Sequence, residues 1–285
     1  MTTDRSLPTP TIRRFQAGLF PVNAYTVETP RGVVVVDSTL GVSDGRALRA
    51  TVEALGKPLL AVLVTHAHPD HYGGLAPLLG NSETPVYAAA GVAAVIRRDD
   101  ELKERILRPM FGDEWAHTRR FPDRVVANGE RLTFDGVTFR LVDLGPGESP
   151  HDSLWLLEGA DGAIEHAFVG DLVYDHMHCF LGDGEYTSWL GNIARARQLL
   201  APGTTLHMGH GTPGEAAALL DWQQAYLGAF VDAVERAERA GLGTEAFAAA
   251  VTADMQRYLP GSDLLFLMQL SIEPMRPVLA AARHA

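Results

Sequence analysis

The sequence predicts a layered α/β protein on three observations: strand-length apolar runs alternate with helically spaced stripes, Asp-Gly pairs join strand-like segments, and the last quarter reads as helix throughout. Residues 1–13 open on a polar, Pro-containing stretch and are expected to form a flexible N-terminus. Strands are expected at 24–27 and 32–37, the second a valine run closing on Asp37. Leu48, Val52 and Leu55 mark a helix over 43–55. Residues 59–65, Leu-Leu-Ala-Val-Leu-Val-Thr, have the length and branched side chains of a strand buried on both faces. Another strand is expected at 85–89. Asp135-Gly136 joins 131–134 to 137–142 as a hairpin, and Asp161-Gly162 joins strands at 153–158 and 164–170. A helix over 188–200 and a strand at 204–208 follow. Thr212-Pro-Gly-Glu215 then reads as a capping box with Pro at the first helical position. It introduces helices over 216–239, 245–258 and 264–282, whose stripes include Leu220, Tyr226, Phe230, Phe247, Met255, Leu267 and Leu270. The expected organisation is a domain over 14–215 with a helical extension, 216–285, packed on it. That extension is expected to roof a pocket, and a homodimer through its helices is the other use such stripes can have.

Chemistry concentrates in Val64-Thr-His-Ala-His-Pro-Asp-His-Tyr-Gly-Gly74, where His66, His68, Asp70 and His71 fall within six residues. If the chain stays extended past the strand, His66 and His68 point to one side. Pro69 fixes a turn, and Gly73-Gly74 with Leu75, Leu78 and Leu79 places a helix start nearby, so Asp70 and His71 aim differently from the first pair. Two groups facing one cavity from two directions can hold two ions. Imidazole and carboxylate without cysteine suit Zn, Mn, Fe or Co better than a structural thiolate site.

His-Ala-His-Pro-Asp-His resembles the His-x-His-x-Asp-His signature of the metallo-β-lactamase superfamily. The resemblance extends over about 14–215 through three further stations in order. The strand ending in Asp37 is similar to the family's first motif, whose aspartate orients a ligand. Phe168-Val-Gly-Asp171 looks like the strand ending in the aspartate that bridges both metals. Met208-Gly-His-Gly211 looks like the last motif, making His210 a ligand of the second metal. The resemblance implies a four-layer αβ/βα sandwich, two divalent ions with Zn the first expectation and Mn or Fe the alternatives, and hydrolysis by a metal-bridging hydroxide oriented by Asp70.

One station departs from the family's Gly-His-Thr-x-Gly-Asp, reading Gly147-Glu-Ser-Pro-His-Asp-Ser153. With Asp152 held in register, Glu148 falls on the ligand histidine. His151 is the rival, and is otherwise expected in the outer shell or pocket wall. Glu148 is favoured because a carboxylate binds at nearly the same metal distance as imidazole. The set His66, His68, Asp70, His71, Glu148, Asp171 and His210 then carries three negative charges against four from two divalent ions, about +1 before a hydroxide is added. That lower charge implies a weaker Lewis acid and more tolerance for Mn or Fe.

The chain has 285 residues, 46% hydrophobic and 21% charged, ample for a full core. Its net charge of -11 argues against a general nucleic-acid binder. No 18-residue apolar span suggests a membrane helix. A single cysteine, Cys179, excludes an internal disulfide and reads as a small buried hydrophobe, and no apolar leader follows Met1, so a cytoplasmic location is expected. Residues 97–123 and 174–188 are expected to set specificity, with His176, His178 and Tyr186 as candidates to bind substrate. Three readings remain: a dinuclear hydrolase of a small ester-like, lactone, thioester, amide or sulfate-ester substrate; a redox member such as a persulfide dioxygenase; and a non-catalytic metal-binding protein. Retention of Asp70, His71 and His210 favours two metals over one, and seven capable ligand positions favour catalysis.

Overall fold

The computed structural model describes residues 10–159, 161–261 and 263–282. One sheet runs in the order β1 (Thr11–Gln16), β2 (Asn23–Glu28), β3 (Val33–Val36), β4 (Leu59–Leu63), β5 (Val86–Ala89) and β6 (Arg124–Val126). Its first two pairings are antiparallel and the other three parallel. The second sheet runs β12 (Gly214–Glu215), β11 (Thr205–His210), β10 (Ile164–Tyr174), β9 (Asp152–Glu158), β8 (Val137–Gly145) and β7 (Arg131–Phe134), all antiparallel except β10 with β11.

Side chains alternating across the pleat divide the core in two. On β8 and β9, Phe139, Leu141, Trp155 and Leu157 face inward against the first sheet, while Val142, Leu144, Leu154 and Leu156 face outward. The first sheet's other face is covered by α1 (Val42–Ala54), α3 (Leu75–Leu79) and the first turns of α4 (Ala90–Phe111). Outward residues of the second sheet pack on α5 (Tyr186–Leu199), α6 (Ala216–Arg239), α7 (Thr244–Tyr258) and α8 (Leu265–Ala282). This is the expected four-layer sandwich with a helical extension. Among the described residues, no helix is long and apolar enough to cross a membrane.

The sheets are stitched together at one end. Tyr25 Oη and Asn23 Nδ2 donate to Met208 O at 2.8 and 3.1 Å, Trp155 Nε1 donates to Val64 O at 3.1 Å, and Ser153 donates through both N and Oγ to Thr65 O at 2.9 and 2.6 Å.

Two expectations change. Residues 1–9 lie outside the described residues, and the segment expected to be flexible through 13 is strand from Thr11, an edge strand too exposed to show alternation. Gly214–Glu215 pairs with β11, so α6 begins at Ala216 without the capping box; strand pairing already satisfies that backbone. Residues 97–111, within the stretch expected to set specificity, belong to α4, where the i,i+4 pairs Glu101–Arg105 and Glu104–Arg108 lace the charged side of the helix.

Phe230 is fully buried on α6 between the second sheet and the outer helices. Phe230→Ala should cost about 3–5 kcal/mol. Because one cluster spans sheet and extension, denaturant melts followed by circular dichroism and tryptophan fluorescence should shift together; two separated transitions would show that the extension folds alone.

Candidate metal centre

Beyond β4 the chain stays extended, and His66 forms an isolated bridge with Asp152 at the start of β9. His66 Nε2 lies 3.6 Å from Glu148 Oε2 and 3.9 Å from Asp171 Oδ2, and His68 Nδ1 lies 2.9 Å from the same Glu148 oxygen. Pro69 then starts the short helix α2 (Pro69–Tyr72), which turns the next pair elsewhere. His71 Nε2 is 3.3 Å from Asp171 Oδ1 and 3.6 Å from Asp70 Oδ2, while His210 Nε2, at the end of β11, is 3.2 Å from each of Asp70 Oδ2 and Asp171 Oδ2. Two buried sets result, His66–His68–Glu148–Asp171 and Asp70–His71–Asp171–His210, each with its ligand atoms within 4.8 Å of one another. They share Asp171.

Each histidine is held by its other nitrogen. His71 Nδ1 donates to Asp37 Oδ2 at 3.0 Å and His210 Nδ1 to Pro21 O at 2.6 Å. His68 Nε2 donates to Asp183 Oδ2 at 2.8 Å, leaving Nδ1 for the cluster. Thr65 Oγ1 donates to Asp37 Oδ2 at 2.8 Å and so accepts from His66 Nδ1 at 3.0 Å. Asp37 therefore orients His71 directly and His66 through Thr65. It does so from φ +59°, a left-handed conformation that a short polar side chain tolerates, and Thr65 N fixes its second oxygen at 2.8 Å. Backbone must also come close: a Cβ on Gly209 would fall 2.0 Å from Asp171 Oδ1, and one on Gly170 would fall 2.6 Å from Thr65 Oγ1.

Burial and mutual charge set the protonation of the cluster. Burial raises the Glu148 carboxyl to about 8 against the pull of His68. Burial alone would lower His68, yet Glu148 and Asp183 hold it well above its ordinary value. His210 rises to about 10, because Asp171 and Asp70 outweigh its burial. Asp70 is pulled down to about 2 by His71 and His210 despite burial, and Asp171 well below the carboxylate range by the same neighbours. His66 goes well below its ordinary value through burial and His71.

These residues fit a pair of divalent ions. His66 Nε2, His71 Nε2, Glu148 Oε2 and Asp171 Oδ1 are buried and make no hydrogen bond, an arrangement costing about 1–3 kcal/mol per group unless something else satisfies them. All four turn into the shared space, and the donor set is nitrogen and oxygen only.

The Glu148 carboxylate, not the ring of His151, faces His66 and His68. Asp152 pins that loop, accepting from Glu148 N at 2.6 Å and from Ser149 N and Oγ at 3.1 and 2.6 Å. His151, expected near the ligands or in the pocket wall, instead packs against Gly91 and pairs with Asp143 at 2.7 Å. The three substrate-binding candidates also lie elsewhere. His176 stacks on Trp222 at 4.3 Å, and His178 is buried against Tyr226 Oη at 2.9 Å. Tyr186 opens α5 facing Asp232 and Glu235. From the same loop it is Tyr174, Phe180 and Asp183 that approach the cluster. Tyr174 Oη lies 2.8 Å from both Glu148 Oε1 and Asp171 Oδ2, and its ring stacks on His210 at 5.0 Å. Its only advance signal was its place three residues after Asp171.

A cleft of about 300 Å³ opens on His68, Asp70, Asp171, Tyr174 and His210, with α4 and α8 as walls. The larger groove, about 1040 Å³ along α1 and α3, contains none of them.

A family model described as the metallo-beta-lactamase superfamily matches residues 17–210. The chain is 32% identical to an uncharacterized protein of Bacillus subtilis (strain 168), covering 41% of this chain and 51% of that one. It is 26% identical to a hydroxyacylglutathione hydrolase of Albidiferax ferrireducens, covering 55% and 51%. The chain thus spans about half the length of these curated relatives. A beta-lactamase domain protein from Burkholderia ambifaria has the same fold, with a TM-score of 0.70 at 18% identity over 97% of this chain and 87% of that one. With its sheets, the Asp70–His71 and His66–His68 pairs and the matched span in agreement, the chain belongs to the metallo-β-lactamase superfamily.

Proposed function

We propose that this protein is a metal-dependent hydrolase of an uncharged acyl electrophile: an ester, lactone or thioester. The observation that carries the reading is the convergence of seven buried side chains in two sets sharing Asp171, each histidine held by one nitrogen so that the other faces inward. His66, His68, Glu148 and Asp171 would hold one ion, and Asp70, His71, Asp171 and His210 the other. Bound there, two divalent ions supply Lewis acidity and lower the pKa of water toward neutrality. The name of the Albidiferax relative, a hydroxyacylglutathione hydrolase, supports hydrolysis at an acyl group.

The protein's own groups divide the remaining work. Asp70 borders the cleft and is too acidic to keep a proton, so it orients the attacking water. Tyr174 also borders the cleft; burial beside Asp171 and Glu148 keeps its hydroxyl protonated, so Oη donates to those carboxylates and holds them in place toward the cleft. Phe20, Phe180 and Phe266 give the cleft aromatic walls.

Chelator-stripped protein should lose activity on a panel of esters, lactones and thioesters and regain it with about two equivalents of Zn, Mn or Fe. Uptake of metal without turnover anywhere on the panel would remove the hydrolase reading. Asp183→Ala frees His68 Nε2 and should weaken metal binding by about 10–100-fold, measured by competition with a chromogenic chelator. An unchanged affinity would mean that Asp183 does not orient the ligand.

Protonation gives a further expectation. Glu148, ordinarily 4.5, and His210, ordinarily 6.5, are both raised, so the metal-free fold binds more protons than the unfolded chain between each pair of values. Stability from both is present at low pH and lost as pH rises through about 8 and about 10. The melting temperature of metal-free protein should fall from about pH 7 to about pH 9, with added metal restoring most at the alkaline end. A flat or rising profile would contradict the assigned protonation.

A further inference from the structure

We propose that the cleft between α4 and α8 selects acyl substrates that combine an apolar chain of roughly ten heavy atoms with an anionic group near the scissile bond, read by Lys103. The inference rests on the hydrolase reading and adds to it the substrate class.

The apolar part follows from two facing helical stripes. On α4, Lys103, Ile106, Leu107, Met110 and Phe111 recur at helical spacing and border the cleft; across it stand Phe266, Leu267 and Leu270 of α8. Ile106 (48% exposed), Met110 (61%), Phe266 (45%) and Leu270 (59%) are among the most exposed large hydrophobics of the described chain, and all four ring this one opening. Apolar surface gathered at one mouth, rather than scattered singly, marks a binding face. At about 30 Å³ per heavy atom, the 300 Å³ cleft holds roughly ten.

The anionic part follows from Lys103, which among the described residues is the one lining the cleft with a cationic side chain outside the metal-facing set. The acids closest to it in charge terms are engaged: Asp99 is bound by Arg98 at 2.7 Å and Asp183 by His68 at 2.8 Å. On a chain of net charge -11, such a spare cation is where an anion is tolerated. His68 borders the same cleft as Lys103, and Asp183, the acid bonded to His68 at 2.8 Å, is stabilised as an anion by Lys103, so Lys103 marks the metal-facing end, whereas Met110 lies about 10 Å farther along the helix. An anion at Lys103 is therefore beside the reacting centre, with the chain running toward Met110 and Phe111.

Calorimetric titration of metal-loaded protein with octane-1-sulfonate, methanesulfonate and octan-1-ol tests this without turnover, since a sulfonate is a poor metal ligand. Octane-1-sulfonate should bind at least about tenfold more tightly than either partial probe. Ile106→Asp and Leu270→Asp, both at exposed positions that the fold does not need, and Lys103→Glu should each remove about tenfold. In parallel, kcat/KM on p-nitrophenyl esters should rise by up to about fourfold per methylene from butyrate to octanoate, and Ile106→Asp should flatten that ratio. Sulfonate binding without hydrolysis of any ester supports the cleft and removes the hydrolase. Hydrolysis indifferent to chain length, without sulfonate binding, removes the cleft and keeps the hydrolase. A dimer dissolved by Leu270→Asp, with no sulfonate binding, gives this face to a second copy and overturns the proposal.

Discussion

Three carboxylates and four imidazoles are buried together where the two sheets meet, and much of the surrounding structure exists to make that tolerable. An isolated buried carboxylate would protonate or unfold the site. Here Asp171 takes part in both sets, so removing any neighbour leaves charge uncompensated in a low-dielectric interior. The outer nitrogens of the four rings each need an acceptor, and those acceptors come from four separate places: Asp37 after β3, Thr65 after β4, Pro21 before β2 and Asp183 beyond β10. The centre is thereby a fastening point for the fold as much as a reactive site.

Asp37 and Thr65 show how fold and site share the same bonds. Thr65 O accepts from Ser153 on the second sheet, its N and Oγ1 donate to Asp37, and Oγ1 accepts from His66. One residue thus joins the sheets and selects the tautomer of a ligand. A change in sheet packing would be felt at His66 without any ligand being altered.

What was legible in the sequence follows from how local the signal was. His66, His68, Asp70 and His71 could be read directly because six residues and one Pro-induced turn determine both aims. Asp171 and His210 needed the order of motifs along the chain, since each alone is only an acid or histidine at a strand end. Glu148 over His151 depended on holding Asp152 in register, and the loop does close on Asp152 through three hydrogen bonds. Asp183 and Tyr174 were not legible as site residues, because their roles rest on contacts across more than a hundred and on twenty-six residues, respectively. His176, His178 and Tyr186 were expected to bind substrate because their segment follows Asp171, but the path of the loop turns them toward α6.

The C-terminal extension decides that path. Gln223 of α6 accepts from Tyr174 N at 2.9 Å, Tyr226 Oη contacts His178 Nδ1 and accepts from Cys179 N, and Ser271 Oγ of α8 accepts from Leu181 N at 2.7 Å. The loop carrying Tyr174 and Asp183 is therefore shaped from outside the span that the family model matches, residues 17–210. The metal-facing residues sit on β10 and β11 or in short connections at strand ends, whereas the cleft walls come from α4 and α8. This division lets the cleft walls vary with little strain on the metal-facing residues, provided Gln223 and Ser271 keep the loop in place. His178 belongs to that fastening: burial lowers its affinity for a proton, and its ring secures the loop against α6 through Tyr226 Oη at 2.9 Å.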